Sequence, residues 1–546
     1  MRRLIVVTLF FIQIIAFGSC TKSHGNNEIA LLPPEVQVQI RNVPVFIQKE
    51  INEVAFINIQ KTLNGQSQKL TSVELIFPNS DVGNAINNIQ LISADSNSDQ
   101  GAVLTIGETS DIWEKTIIEV DPKLSGLYSS FSVSFAAKTN ANIESQIQIK
   151  EVILEFDHQI KQSIQPEKHS IRFGHVVRQQ GQDNCDTYRI PGIVTTTKGT
   201  LIVVYDARYN NSKDLQEDID IGMSRSTDGG QTWEPMKIIM DMGEWGGKPQ
   251  KLNGVGDPCI LYDDETGTIW VAALWMSGAT EKDMLWWASK PGISPEETGQ
   301  FILAKSTDDG LTWSEPVNIT EQIKKPGWQL LLQGPGRGIS MENGTLVFPA
   351  QFKADIGEKA LDGGQYTCHS TIVYSKDHGE TWHIGAGAKS NTTEAQVVEL
   401  ENGGLMLNMR DDRNRKDKGE TNGRAVAVTN DLGKTWITHS SSNSALPESN
   451  CMASIISADV KVGDGKKHVL FFSNPNNKLK RANMTIKASL DQGMTWPEEY
   501  QLELNEDGGY GYSCMTMIDE HTIGILYEGV KELYFQKIPV TDLLSK

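Results

Sequence analysis

The sequence has few of the residues and motifs that form disulfide scaffolds or hold metals and phosphates. Only 6 of its 546 residues are cysteines, and no C-x-x-C pair indicates a zinc site. A glycine-rich phosphate loop and a zinc-binding helix motif are absent too. The five cysteines that follow Cys20 are odd in number and widely spaced, which is not a disulfide framework. We predict that they are buried free thiols: Cys185, Cys259, Cys368, Cys451 and Cys514.

Positive charge is also scarce. The chain has 50 Lys and Arg against 69 Asp and Glu, a net charge of −19, which makes nucleic acids and anionic membrane surfaces poor partners. An anionic substrate would need a local group of positive side chains within this negative field. With 38% hydrophobic and 22% charged residues and no long low-complexity tract, the chain is typical of globular proteins. Its length suggests two or three domains.

The hydrophobic run at the N-terminus, Leu4–Phe17, is shorter than the roughly 20 residues that span a bilayer. It follows two arginines and precedes Gly-Ser-Cys20, the layout of a secretory signal peptide. These residues resemble a bacterial lipobox, in which the cysteine becomes the lipidated N-terminus, although Phe17 stands where Leu is usual. We expect residues 1–19 to be a signal peptide and the protein to be exported. It is then either a periplasmic or outer-membrane, cell-surface lipoprotein anchored through Cys20, or a secreted product of ordinary cleavage nearby.

One eight-residue pattern, Ser/Thr-x-Asp-x-Gly-x-Thr-Trp, recurs five times. Asp and Gly suit a tight turn, because the Asp side chain bonds to backbone N–H groups and Gly permits a positive φ. Thr-Trp suits the start of a strand. Successive Asp residues are 80, 69, 54 and 60 positions apart, enough for a four-stranded antiparallel sheet. The copies are Ser226–Trp233, Ser306–Trp313, Ser375–Trp382, Thr429–Trp436 and Ser489–Trp496.

This pattern resembles the Asp-box of sialidase-type β-propellers, in which radially repeated sheets protect one another's edges. Five boxes and one blade without a box would give a six-bladed β-propeller over residues 173–546. The boxes themselves are predicted to be hairpin turns without catalytic function. They also occur in propellers of other function, so they indicate fold rather than chemistry.

Residues 26–165 contain no box and have the alternating pattern of sheets with one buried face. They resemble the β-sandwich that precedes the propeller of several bacterial sialidases, with either a glycan-binding or a spacer role. Residues 159–170 are polar, contain Pro166 and are predicted to be a linker. The predicted fold class is therefore all-β. The stretches that predict sandwich strands are Val36–Ile47, Ser72–Phe77, Ser130–Ala136 and Ile147–Phe156.

The segment Tyr188-Arg189-Ile190-Pro191 resembles the Arg-Ile-Pro signature of the sialidase family. That resemblance implies that Arg189, Arg410 and Arg481 bind the carboxylate of sialic acid. Planar guanidinium groups suit bidentate binding of a carboxylate. Three of them would supply the local positive charge that an acidic chain needs for an anionic substrate.

The same resemblance implies the catalytic groups. Asp214, 25 residues after Arg189, matches the general acid/base, and Glu394, 16 residues before Arg410, matches the base that activates the nucleophile Tyr512. A neutral tyrosine avoids repulsion by the substrate carboxylate, but its ordinary pKa near ~10 requires a neighbouring base. Two alternatives remain open from the sequence: Asp206 in place of Asp214, and Tyr510 in place of Tyr512.

Further positions match residues around the sugar. Arg208 and Asp257 are expected on its O4 side, and Glu528 is expected to brace Arg189. The implied activity is a retaining exo-α-sialidase that releases terminal sialic acid from glycoproteins, glycolipids and oligosaccharides, without a metal or organic cofactor. The alternatives are a sialic-acid-binding propeller without catalysis, a relative that transfers sialic acid or forms an anhydro-sugar, and a non-sialidase enzyme with Asp-boxes.

Overall fold

The computed structural model describes residues 34–60, 68–79, 81–94, 103–124, 129–167, 169–214, 217–275, 280 and 283–544. The predicted signal peptide and Cys20 lie outside these residues. In the described part of the chain, no helix is long and apolar enough to cross a membrane. Its α-helices are single turns: α1 (Val82–Ala85), α2 (Leu285–Ala288), α3 (Thr320–Ile323) and α4 (Thr541–Leu544). Its 3-10 turns are Asp157–Gln159, Gln182–Asn184, Gln250–Leu252, Asp412–Arg415 and Glu498–Tyr500.

The N-terminal region consists of short strands, which are numbered here in chain order. They are β1 (Val36–Ile40), β2 (Val45–Ile47), β3 (Glu53–Ile59), β4 (Leu70–Ile76), β5 (Ile86–Ala94), β6 (Val103–Thr109), β7 (Lys115–Glu119), β8 (Ser130–Ala137), β9 (Gln146–Ile147), β10 (Glu151–Phe156) and β11 (Lys161–Ile164). One antiparallel sheet has the order β1-β3-β8-β5-β6, and a second has the order β11-β10-β4-β7. Alternate residues of both sheets enter one hydrophobic core, since side chains alternate along a strand.

Part of the predicted linker is instead a strand. β11 pairs with β10 at the edge of the second sheet, where its polar residues are only half-buried or exposed. The hydrophobic core of the N-terminal region also continues into the rest of the chain through Phe173, Tyr188 and Phe535. A separate β-sandwich domain with limits at 26 and 165 therefore stays a prediction.

The remaining strands form six sheets, the blades of a β-propeller. They are β12 (Ile171–Arg178), β13 (Thr187–Thr195), β14 (Leu201–Arg208), β15 (Ile219–Ser226), β16 (Lys237–Met240), β17 (Val255–Asp263), β18 (Thr268–Trp275), β19 (Gln300–Ser306), β20 (Val317–Asn318), β21 (Trp328–Gln333), β22 (Gly336–Arg337), β23 (Ile339–Ser340), β24 (Leu346–Ala354), β25 (Thr367–Ser375), β26 (His383–Ile384), β27 (Lys389–Ser390), β28 (Thr392–Glu399), β29 (Leu405–Asp411), β30 (Ala425–Thr429), β31 (Ile437–Thr438), β32 (Ser454–Val462), β33 (Gly465–Pro475), β34 (Met484–Ser489), β35 (Gln501–Asn505), β36 (Ser513–Asp519), β37 (Thr522–Glu528) and β38 (Leu533–Pro539).

Blades 1 to 5 are each built from four antiparallel strands in chain order, whereas blade 6 joins the last three strands to an early one. Blade 1 is β13–β16, and blade 2 is β17–β20 with β22 at its inner edge. Blade 3 is built on β21, β24, β25 and β26, blade 4 is β28–β31, and blade 5 is β32–β35. Blade 6 has the order β36-β37-β38-β12, with β2 outside β12. The predicted six-bladed, all-β propeller is confirmed.

The Asp-boxes occupy the turn between the third and fourth strands of blades 1 to 5. In blade 1, Asp228 accepts hydrogen bonds from the backbone N–H and the hydroxyl of Thr232 and from the hydroxyl of Ser226. The Ser226 hydroxyl in turn accepts the N–H of Gly230. Gly229 and Gly230 have φ values of +70° and +89°. The same bonds recur in the other four boxes, for example around Asp308.

Blade 6 has no box because it has no such turn. Its third strand, β38, is near the end of the chain, and its fourth, β12, precedes blade 1. Phe535 of β38 lies opposite His175 of β12, so two distant parts of the sequence close the ring. The N-terminal β2 extends this sheet in parallel, with Val45 opposite Phe173. The five cysteines of the propeller are buried and free, as predicted.

Candidate active site

All predicted site residues lie at one end of the blades. Neighbouring strands of an antiparallel blade run in opposite directions. The start of the first strand, the end of the second strand and the loop from the second to the third strand therefore lie at the same end of the blade. Arg189 and Glu394 lie near the start of first strands, and Arg410 and Glu528 lie at or near the end of second strands. The Asp-boxes lie at the opposite end, which separates the repeated turns from the candidate chemistry.

Bulges direct three of these side chains into the site. In blade 1, Ile190 and Pro191 together lie opposite the single residue Tyr205, and Ile190 has a φ of +58°. Blade 2 has the same irregularity at Asp257-Pro258, where Asp257 has a φ of +56°. Blade 4 has it at Thr393 and Glu394. Bulges reorient side chains, and they accommodate proline because the extra residue needs no ladder N–H. This explains the Arg-Ile-Pro and Gly-Asp-Pro segments.

Glu528 holds Arg189 in position. The Nε and Nη2 atoms of Arg189 donate to the two oxygens of Glu528 at 3.0 and 3.4 Å. The same carboxylate accepts the backbone N–H groups of Ile190 and Tyr512, both at 2.9 Å. Burial opposes the charge on Arg189, but Glu528 and Asp214 raise the pKa of the guanidinium overall. The brace predicted from the sequence therefore joins the first arginine to the backbone of the predicted nucleophile.

Tyr512, Glu394 and Arg410 form a directly bonded group. The Tyr512 hydroxyl donates to Oε1 of Glu394, while Arg410 Nη1 donates to Oε2 of Glu394 at 2.6 Å and to the Tyr512 oxygen at 3.2 Å. Burial raises the pKa of Glu394, but the charge of Arg410 and the hydrogen bonds from Tyr512 and Arg410, together with Arg481, lower it below the usual value. Burial and the Glu394 carboxylate raise the pKa of Tyr512. The pair is therefore an ionised carboxylate that accepts a hydrogen bond from a neutral phenol.

Arg481 completes a cationic ring around Tyr512. The guanidinium carbons of Arg189 and Arg481 lie 5.1 and 5.6 Å from the centre of the Tyr512 ring. Asn450 aligns two of the arginines, because its side-chain oxygen accepts Arg410 and its carbonyl accepts Arg481, both at 3.0 Å. Tyr510 also lies close, with its ring centre 4.7 Å from the guanidinium carbon of Arg189 and its backbone carbonyl accepting Arg481, but it is the hydroxyl of Tyr512 that bonds to Glu394. The geometry thus favours Tyr512 over Tyr510.

Asp214 lies at the open side of this group. Its carboxylate accepts Arg189 at 3.2 Å and Arg208 at 2.9 Å, and 57% of its side chain is exposed. Asp206 is instead fully buried, with its oxygens taken by Arg208 and by the backbone N–H of Asp257. Only Asp214 of the two is open to a large leaving group. Burial raises the pKa of Asp214, but Arg208 and Arg189 together hold it below the usual value.

Arg208 and Asp257 are the two residues predicted on the O4 side of the sugar. Arg208 is buried and donates to Asp206, to the carbonyls of Ser212 and Lys213, and to Asp214, so it fixes the Asp214 loop. Its contact with the sugar stays a prediction. Asp257 lines the cavity, where burial and the carboxylates of Asp206 and Asp214 raise its pKa well above the usual value. The raised pKa favours the protonated form of Asp257, which can donate a hydrogen bond.

These residues line a cavity of about 320 Å³. Its positive end contains the three arginines, and the sequence predictions missed most of its other lining residues. Two adjacent tryptophans after β18 are a signal that could have drawn attention to one wall. Asn450 and a fourth rim arginine, Arg415, carried no recognisable pattern. The missed lining residues are Met284, Trp286, Trp287, Leu332, Gln351, Asp362, Thr393 and Arg415. Within the described residues, no cluster of His, Cys, Asp and Glu has a metal-binding arrangement.

Comparison with known proteins identifies the family. A family model described as a BNR repeat-like domain matches residues 199–525. A sialidase of Bacteroides fragilis is 48% identical over 441 residues, which cover 80% of this chain and 78% of the relative. The chain belongs to the sialidase family. Sialidases are glycoside hydrolases, so the protein is an enzyme of this class.

Other relatives agree. The sialidase of Micromonospora viridifaciens is 31% identical over 352 residues, which cover 64% of this chain and 50% of the relative. The solved structure of the Hadza microbial sialidase Hz136 superposes with a TM-score of 0.82 at 41% identity, over 93% of this chain and 99% of that one. An intramolecular trans-sialidase from Ruminococcus gnavus shares the fold at 19% identity, with a TM-score of 0.53 over 67% of this chain and 98% of that one.

Proposed function

We propose that this sialidase releases terminal sialic acid from glycans by a retaining mechanism with Tyr512 as the nucleophile. The observation that carries the proposal is the bonded group of Tyr512, Glu394 and Arg410 beneath an exposed Asp214. The sugar carboxylate would bind at the positive end of the cavity, to Arg189, Arg410 and Arg481. There the guanidinium groups match its charge and planar shape.

In the first step, Glu394 takes the proton of Tyr512 as the phenol oxygen attacks the anomeric carbon. Asp214 delivers a proton to the departing glycan oxygen. In the second step, Asp214 accepts a proton from water, the water oxygen displaces Tyr512 from the anomeric carbon, and Glu394 returns the proton to the phenol. Two displacements at one carbon preserve its configuration. Side chains supply the acid, the base and the nucleophile, so the proposed reaction requires no cofactor.

The lowered pKa of Asp214 is compatible with this role. Arg208 and Arg189 keep the carboxyl ionised before substrate binds. A substrate carboxylate at Arg189 offsets part of that positive charge, which raises the pKa of Asp214 and favours the protonated form. Binding of the correct substrate would therefore prepare the acid that the reaction needs.

The test is to add an α-sialyllactose to the protein and to follow the released sugar by proton NMR. We expect α-sialic acid first, followed by slow conversion to the β anomer. Tyr512→Phe is expected to lose at least about a thousandfold in kcat while it still binds sialic acid, since the arginines remain. Tyr510→Phe is the matched control and should stay active. Immediate release of the β anomer would contradict the mechanism.

The same experiment distinguishes the alternatives. An anhydro-sugar product would retain the site but change the reaction from hydrolysis to intramolecular transfer. Binding without turnover would indicate a lectin-like propeller. The proposal extends to an exported protein, anchored through Cys20 or released. Labelling of Cys20 with a fatty-acid analogue during expression in bacteria tests the anchor.

A further inference from the structure

A buried ion pair supports one wall of the cavity, and one of its members, Asp362, also lines the cavity. The wall consists of Trp286 and Trp287 on α2, in the connection between the second and third strands of blade 2. The ion pair belongs to blade 3, with Lys353 on β24 and Asp362 in the loop that follows. Lys353 Nζ lies 3.1 Å from Asp362 Oδ2, and the two side chains are only 1% and 3% exposed.

Both members of the pair contact the tryptophans directly. Lys353 Nζ lies 4.1 Å from the ring centre of Trp286 and 4.7 Å from that of Trp287, and it donates to the Trp286 carbonyl at 3.3 Å. Asp362 Oδ2 also accepts the indole N–H of Trp286 at 2.8 Å. A buried lysine loses hydration, so these contacts and Asp362 are what stabilise its charge.

The tryptophans have few other constraints. α2 is one turn long, too short to be stable by itself. Trp286 packs against the small apolar cluster of Ile219, Leu274, Leu330 and Leu332, but Trp287 is 49% exposed. Its ring lies over Gly364, where an added Cβ would come within 2.9 Å of the ring carbon Cζ3. A third bond of Asp362, accepted by its other oxygen from the Gly364 N–H at 2.8 Å, fixes that contact surface.

We propose that Lys353 and Asp362 are positioning residues that hold the Trp286–Trp287 wall against the bound sugar and so determine substrate affinity. This inference rests on the proposed sialic-acid site. The arginines would hold the carboxylate of the sugar, and the tryptophan wall, which lines the same cavity, would contact another part of it. Asp362 lines the cavity, but the hydrogen bonds of Lys353 and Asp362 go to each other, to Trp286 and to Gly364 rather than to Tyr512, Glu394 or Asp214. Its loss should therefore weaken binding and leave the chemical step intact.

The first test is Lys353→Met, which keeps an unbranched side chain one atom shorter and removes its charge. We expect KM for α-sialyllactose to rise about tenfold, the loss of a desolvated cation–π contact, with kcat within about twofold of the wild type. Asp362→Asn should act in the same direction. The matched control is Lys305→Met, because Lys305 lies 5.0 Å from the ring of Trp270, away from the cavity. It should leave both constants unchanged.

Two further variants keep the test decisive if Lys353→Met folds poorly. Gly364→Ala keeps both charged side chains but places a Cβ 2.9 Å from the Trp287 ring and 3.2 Å from Asp362 Oδ1, and it should raise KM in the same way. In a double-mutant cycle, the effect of Lys353→Met should shrink in a Trp286→Phe background, since the two act through one contact. Additive effects would contradict the proposal.

The outcomes separate this inference from the proposed function. A wild-type protein that neither cleaves α-sialyllactose nor binds sialic acid in a calorimetric titration would overturn both. A wild-type protein that does so, with KM unchanged in well-folded Lys353→Met and Gly364→Ala, would overturn only the positioning role. A fall in kcat at constant KM would overturn it too, since it would indicate that the pair acts on the chemical step.

Discussion

At the scale of single residues, the site contains buried charged side chains. Burial disfavours their charged forms, and neighbouring groups of opposite charge compensate for it. Glu394 and Asp214 are carboxylates whose pKa values burial raises and arginines lower. Asp257 has no arginine bonded to it, and its pKa is raised. The pKa values of these three acidic residues are thus shifted in different directions, because arginines contact Glu394 and Asp214 whereas burial and neighbouring carboxylates dominate at Asp257. This difference suits a base, a responsive acid and a hydrogen-bond donor.

The lowered pKa of Asp214 predicts a specific pH dependence. The profile of kcat/KM reports the free enzyme, in which Asp214 is ionised down to low pH, whereas kcat reports the bound state. Because the substrate carboxylate offsets the charge of Arg189, the loss of kcat on the basic side should occur at higher pH than the loss of kcat/KM. Steady-state kinetics on α-sialyllactose from pH 4 to about 9 measure both.

Asp214→Asn provides the second half of this prediction. The variant should lose at least about a hundredfold in kcat on α-sialyllactose but much less on an activated aryl sialoside, whose leaving group needs little protonation. Glu217→Gln is the matched control, because it removes a carboxylate from the same loop. The Glu217 carboxylate contacts Asn211 rather than the arginines. Equal losses on both substrates would argue against the acid role.

At the scale of elements, the Asp-box is a local motif with a structural function. Its hydrogen bonds lie within eight residues, and its Asp side chains are held ionised. Hydrogen bonds from Thr312 and Ser306, for example, lower the pKa of Asp308 to about 2. This locality is why the sequence could predict the blades. The bulges at Arg189, Asp257 and Glu394 also had local signals, since the flanking segments match the family.

The elements that the sequence failed to predict depend on distant partners. β11 is polar and short, and it becomes a strand only because β10 offers an edge. The wall of Trp286 and Trp287 lies between strands of blade 2, but its support, Lys353, comes from blade 3. The pairing of β2, β12 and β38 joins residues near 45, 173 and 535. No short pattern encodes such contacts, since each segment alone is compatible with other neighbours.

The separation of boxes from chemistry gives a prediction at this scale. Asp308→Ala removes the acceptor for Thr312 and Ser306 in the box of blade 2. We expect Tm to fall by about 1–3 °C, because one turn of a large domain is affected, with kcat and KM unchanged. Asp464→Ala, in the exposed β32–β33 turn, is the control and should leave Tm unchanged. A loss of activity in folded Asp308→Ala would connect the boxes to catalysis.

At the scale of the whole molecule, the N-terminal region is part of the closure of the propeller. β2 extends blade 6, and Phe46 stacks on Tyr534 of β38 with ring centres 3.9 Å apart. Arg41 pairs with Glu506 at 2.9 Å, beside blade 5. The two regions also share one hydrophobic core. The last blade of the propeller is completed by segments that are distant in sequence. Those segments cover an edge strand that would otherwise have unpaired backbone groups.

This connection predicts that the protein unfolds as one unit. Calorimetry should show a single unfolding transition. The N-terminal region and the propeller share one hydrophobic core, so neither can unfold without exposing the core of the other. Phe46→Ala should lower its Tm and also the temperature at which activity is lost, by the same amount, since loss of a buried aromatic costs about 3–5 kcal/mol. Trp113→Ala is the control, because Trp113 is 62% exposed on the N-terminal region and should leave Tm nearly unchanged. Two separate unfolding transitions would contradict this prediction. If Phe46→Ala shifted only the transition that does not coincide with the loss of activity, the N-terminal region and the propeller would fold independently.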